Sequence, residues 1–188
     1  MKKQKKEQSE KEIIPEKVAE FFMATKKSQE KNLAFSWGKD DSFEQSIKIY
    51  LDGKESKVCL TGIFAGSDLM KKKLHLEIVA ASPKTQAEIL LKGVLEDQAE
   101  LNIAVRLSIL KKSIDAKVDL QAKFLLLSES ARVLITPSLE IAESNILAAS
   151  HAVAIGSLDM DMIFYMASRG ISIEKAKELL KKSFLSVG

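Results

Sequence analysis

The sequence predicts a mainly β chain, wound as a solenoid and closed by helices, on three observations. Apolar residues alternate with polar ones in long runs between residues 45 and 141, the period of strands with one buried face. Turn punctuation between these runs is sparse, with 8 Gly and 3 Pro in 188 residues, whereas hairpin sandwiches carry more. The period then changes to helical near Gly156. Long, evenly patterned strands with short polar corners suit coils that bury their faces against one another. No strict sequence repeat is visible, and a β-sandwich is the alternative that pattern alone leaves open.

In chain order, residues 1–12 are almost all Lys, Glu, Gln and Ser and read as a disordered tail. Pro15 suits a first helical turn, and Val18, Phe21 and Phe22 follow at helical spacing, which predicts a short helix. Residues 28–42 read as a linker with turn signals at Trp37-Gly38 and Asp40-Asp41, so that 13–42 form a helix-and-linker segment. The β body is expected over 43–156. Ile47, Ile49 and Leu51 alternate before the turn signal Asp52-Gly53. Val58, Leu60 and Gly62 continue, then Leu74, Leu76 and Ile78, then Leu101 to Ile109, Ile114 to Ala122, Val133 with Ile135, and Leu139 with Ile141. Residues 157–188 read as a helical hairpin. Ser157 or Asp159 caps the first helix, Gly170 suits its left-handed end, and Ser172 caps the second, whose apolar stripe is Ile173, Ala176, Leu180 and Phe184.

Net charge is +3, with basic and acidic residues interspersed, so nucleic-acid binding is not expected. No run approaches the ~18 apolar residues of a membrane span, and no secretory h-region follows the basic start. One cysteine excludes an internal disulfide, and a reducing, cytoplasmic setting is expected. Few groups invite catalysis. His75 lies on the polar face of an alternating run and reads as a surface residue; Cys59 reads as an inert thiol. His151, flanked by small and apolar residues, is either a hydrogen-bonded corner residue or a ligand. Ser150, His151 and Asp159 lack a nucleophile elbow, and adjacent strand residues face opposite sides, so a hydrolase is excluded. Phe164, Tyr165, Arg169 and Gly170 read either as a helix packed on the body or as a docking surface, since Tyr and Arg are favoured interface anchors.

Several blocks are more specific. Leu125-Leu126-Leu127-Ser128, Ala131, Pro137-x-Leu139-Glu140-Ile141, Ala149-Ser150-His151-Ala152 with Gly156, and Asp161-x-x-Phe164-Tyr165-x-x-Ser168-Arg169-Gly170-Ile171 stand in order, with Lys92-Gly93-Val94 upstream. Together they resemble the SufB/SufD family of the SUF system, and the Ser-His pair is the more SufD-like. The resemblance implies a right-handed parallel β-helix and a non-catalytic scaffold or accessory role in iron–sulfur cluster assembly. It implies pairing through the β-helix with a SufB-like paralogue or with itself, and docking of a SufC-like ATPase near Phe164, Tyr165, Arg169 and Gly170. It also implies a place for His151 near a transient iron–sulfur cluster shared with a partner. The family often has Cys where Ala149 stands, so thiolates are expected from the partner. The chain is short for the family, and flavin is not expected. The alternative is a structural β-solenoid that homodimerises with no metal role.

Overall fold

The computed structural model describes residues 11–14, 19–38 and 43–186. Among them the chain forms eleven strands and two helices. The strands are β1 (Lys11–Ile13), β2 (Glu20–Ala24), β3 (Glu30–Trp37), β4 (Phe43–Leu51), β5 (Lys57–Gly66), β6 (Lys71–Ala80), β7 (Gln86–Leu95), β8 (Glu100–Ile109), β9 (Lys117–Leu126), β10 (Arg132–Ile141) and β11 (Ala148–Ser157). The helices are α1 (Met160–Ser168) and α2 (Ile173–Leu185). Odd strands stack in one sheet, β1-β3-β5-β7-β9-β11, and even strands in a second, β10-β8-β6-β4-β2. Every pairing is parallel, so the chain is a β-solenoid of about five coils rather than a hairpin sandwich.

Register stacks like on like. Leu33, Leu60, Ile89 and Leu120 lie one above the other and are all buried. On the facing sheet Ile47, Leu76 and Val105 do the same. Period-two patterning sends these residues inward, and parallel stacking lines up the inward sets of successive coils. A column of large rings runs beside them. Trp37 meets Phe64 edge-on at 5.0 Å, and Phe64 lies 5.8 Å from Phe124. Gly93 occupies the register position between Phe64 and Phe124, and a Cβ there would come within 2.5 Å of the Phe124 ring. The glycine therefore makes room for two aromatic side chains that the narrow interior cannot otherwise hold.

One row of corners has its own ladder. Ser28, Glu55, Lys84 and Asp115 all have positive φ, between 51° and 63°. Each donates its backbone N–H to the next coil, to the carbonyls of Lys54, Pro83, Ile114 and Asn145, at 2.8 to 3.0 Å. The left-handed turn aims the donor along the solenoid axis, and the hydrogen bond offsets the cost of that conformation in a non-glycine residue.

Two expectations are corrected. Where helical spacing predicts a short helix, Glu20–Ala24 is strand β2. Phe21 and Met23 stack on buried Ile47 and Ile49, so pairing with the next coil overrides a short pattern that fits both periods. Where the linker is predicted, β3 delivers Leu33, Phe35 and Trp37 to the core. Its large residues alternate, but the strand lies between turn-like neighbours, so it reads as linker. The solenoid thus starts before residue 43. Of the predicted tail, Lys11 and Glu12 fall in β1. Residues 1–10, Pro15, Val18 and the Asp40-Asp41 turn lie outside the described residues.

The C-terminal hairpin follows the expected rules. Asp159 accepts from the Met162 N–H, Ser172 accepts from the Lys175 N–H, and Gly170 has φ +85°.

Two substitutions test this packing with opposite signs. Gly93→Ala is expected to lose about 1–3 kcal/mol through overpacking, and Lys84→Gly to gain about 0.5–1 kcal/mol by relieving the left-handed turn. Urea denaturation followed by circular dichroism measures both.

Candidate functional site: the open end of the solenoid

The two ends of the stack differ. At the first end the described strands are short, three residues in β1 and five in β2. Short edge strands offer little to a pairing chain. At the other end β10 and β11 are full ten-residue strands, paired on one side only, to β8 and β9. The solenoid closes on a half coil, because after β11 the chain leaves for α1 instead of supplying a further strand above β10. In β4 to β8 the described inward residues of both sheets are buried. In β11 they are not.

His151 sits at this opening. Its register position continues the column Leu33, Leu60, Ile89 and Leu120, four buried aliphatic residues, yet His151 is exposed. Val153 and Ile155 continue the neighbouring inward columns above Ala122 and Phe124 and are 40% and 46% exposed. Val133, Ile135 and Leu139 of β10 lie half-buried across from them, packed against the core. An imidazole thus projects from an apolar rim that the chain itself leaves uncovered. Ser150 faces the other way and hydrogen-bonds to Asp119 on the outer surface, so Ser150 and His151 do not act together. Asp159 is committed to the α1 N-cap.

The predicted docking residues cluster on the hairpin. Phe164 and Tyr165 are 59% and 56% exposed on α1, while Ile163 between the turns is buried. Arg169 caps the helix and places its guanidinium 5.4 Å from the Tyr165 ring centre. Gly170 then turns the chain into α2. Ile163 is buried where α1 packs on α2, while Phe164 and Tyr165 stand on the surface.

Cys59 is remote from the opening. It stands outward on β5 in a register column with Glu88, Asp119 and Ser150, three strands below β11. At about 4.8 Å per strand that is about 14 Å from the level of His151, and on the opposite face of the sheet. Burial pushes the thiol pKa up; Lys57 opposes this, and Glu88 and Glu30 add to it. His75 is on the outer face of the second sheet, 3.0 Å from Glu44. It borders a shallow depression of about 310 Å³ whose other charges, Glu77 and Arg106, pair with Lys48 and Glu140. Among the described residues no group of three His, Cys, Asp or Glu side chains is placed to hold a metal ion. No helix of the structure is long and apolar enough to cross a membrane.

Sequence reasoning singled out His151 and the hairpin residues but not the rim. Val133, Ile135, Leu139, Val153 and Ile155 look like core residues by alternation. Only their place in the last strands before the helical period marks them as uncovered.

Known proteins are similar to this sequence along most of the chain. The family model described as "SUF system FeS cluster assembly, SufBD core domain" matches residues 8–184. The iron–sulfur cluster assembly protein SufD of Bacillus subtilis (strain 168) is 27% identical over 161 residues, covering 79% of this chain and 37% of that protein. SufD of Plasmodium falciparum (isolate 3D7) is 33% identical over 103 residues, 55% of this chain but 7% of its own length. A SufBD family protein of Methanothermobacter thermautotrophicus is 25% identical over 138 residues, 73% of this chain and 33% of its own length. The chain thus spans well under half the length of these relatives.

The raised thiol pKa predicts that Cys59 reacts with iodoacetamide at pH 7.5 several-fold more slowly than free cysteine. The rate should climb as pH passes 9; mass spectrometry of the alkylated chain measures both.

Proposed function

The chain belongs to the SufB/SufD core family of the SUF iron–sulfur system, and from that premise we propose that it is a non-catalytic subunit of cluster assembly. It pairs through the open end of its solenoid and docks an ATPase through its C-terminal hairpin. The observation that carries this reading is the uncovered half coil. Two free ten-residue strand edges and an apolar rim stand together at one end of the stack. A bare parallel edge of this length invites another chain to add its own strand, with main-chain hydrogen bonds giving affinity and rim side chains giving fit.

The partner is a SufB-like paralogue or a second copy. Pairing there brings His151 into an enclosed, largely apolar seam. Neutral imidazole is a competent iron ligand, and the partner supplies the thiolates that this chain lacks on that side. The nascent iron–sulfur cluster is cargo held across the seam, and the chain contributes position and one nitrogen donor. Exposed Phe164 and Tyr165, with Arg169 held over the Tyr165 ring, form an aromatic–cationic patch of the kind that anchors protein interfaces. That patch is the docking face for a SufC-like ATPase.

Two variants separate these roles. Arg169→Glu reverses the charge in the patch and is expected to weaken co-purification with the ATPase at least tenfold, about 1.4 kcal/mol, without changing pairing. His151→Ala is expected to leave pairing intact and to lower the yield of anaerobically reconstituted cluster with the SufB-like partner several-fold. Unchanged yield would leave a pairing module with no metal role.

A further inference from the structure

The hairpin that carries the docking patch touches the solenoid in a specific way. α1 and α2 pack on each other, with Ile163 and Ala176 as their buried residues, and α2 lies against β7. Among the described residues, two polar contacts join α2 to the solenoid. Lys181 Nζ lies 2.5 Å from Glu96 Oε2, both side chains being less than a third exposed. Lys92 Nζ donates to the Ser186 carbonyl at 2.9 Å. The partners are 85 and 94 residues apart in sequence, so neither contact is a local consequence of helix or turn.

Their polarity is complementary. Lys92 projects from β7 onto Ser186, the C-cap of α2, where the helix dipole is negative. Glu96, just past the end of β7, accepts the positive Lys181 a turn earlier in α2. One strand end therefore presents a cation and an anion, and one helix end presents their opposites in matching order. Sliding or reversing α2 breaks both contacts.

We propose that Lys92–Ser186 and Glu96–Lys181 form a two-point latch that holds the C-terminal hairpin on the solenoid as a separable arm. The arm has few buried residues of its own, and its helices of 9 and 13 residues are marginal when released. Leu180 and Phe184 of α2 are half-buried, and the latch adds two directional contacts to the packing of α2 against β7. A partner gripping Phe164 and Tyr165 pulls on the solenoid through β7. The latch rests on the geometry of this chain alone; only the pull by a partner rests on the docking reading.

Hydrogen exchange on the full chain, without any partner, tests it. In Lys181→Glu, where two carboxylates meet, and in Lys92→Met, α1 and α2 amides are expected to exchange about tenfold faster. Amides of β5 to β9 should stay at the wild-type rate. The charge swap Glu96→Lys with Lys181→Glu should bring α2 back toward the wild-type rate. Hairpin exchange within twofold of wild type in both single variants would overturn the proposal. So would an equal rise throughout the β body, because the contacts would then support global stability rather than an arm.

Discussion

The stacking of each coil on the one before it, through a continuous parallel backbone ladder, is the constraint on which the rest of the structure depends. A strand buried on its inner face must find its hydrogen-bond partners above and below, and here it finds them about thirty residues away in sequence. Register is then fixed by the inward columns, because a slip of one residue would turn Leu60, Ile89 and Leu120 out to solvent. The corners obey the same requirement. Left-handed residues at Ser28, Glu55, Lys84 and Asp115 aim their N–H groups up the axis rather than leaving them unpaired. A stack of this kind has no natural end. Wherever it stops, an edge and an unsealed interior are left.

The functional surface follows from how the chain stops. It stops on half a coil, so β11 has β9 beneath it, the half-buried face of β10 across from it, and no strand stacked above it. In a buried column the position of His151 holds Leu or Ile; at the last step the same position holds an imidazole. That change of chemistry at the point where burial ceases separates His151 from His75, which is exposed on a charge-paired outer face in mid-stack. The helices use the other outlet from β11. They carry the aromatic patch on α1, while His151 and the rim lie on the strands, so the proposed docking and pairing surfaces lie on separate elements.

Much of this was legible in the sequence because alternation is a local signal. The strands from residue 45 onward, the caps at Asp159 and Ser172 and the left-handed Gly170 depend on residues a few positions apart. The parts that failed to show depend on distant partners. Glu20–Ala24 is a strand because Ile47 and Ile49 stand beside it, and Val18, Phe21 and Phe22 carry no trace of that. In Glu30–Trp37 the large residues Leu33, Phe35 and Trp37 do alternate, yet the strand reads as linker between turn-like neighbours. Parallel pairing itself leaves no mark in a single strand; sparse turns hinted at it, and the SufB/SufD-like blocks from Leu125 onward supplied the rest. The rim stayed hidden because Val153 and Ile155 are core residues by pattern and lose that status only by position. The latch of Glu96 and Lys181 joins residues 85 apart with no shared motif.

The central claim is that the unsealed end, and not the blunted one, is where the chain meets its partner. Amide hydrogen exchange of the chain alone and with a SufB-like partner tests this most directly. Protection is expected to rise along β10 and β11, with β1 and β2 unchanged. Protection gained at β1 and β2, or no change at β10 and β11 in a complex that has formed, would contradict the account.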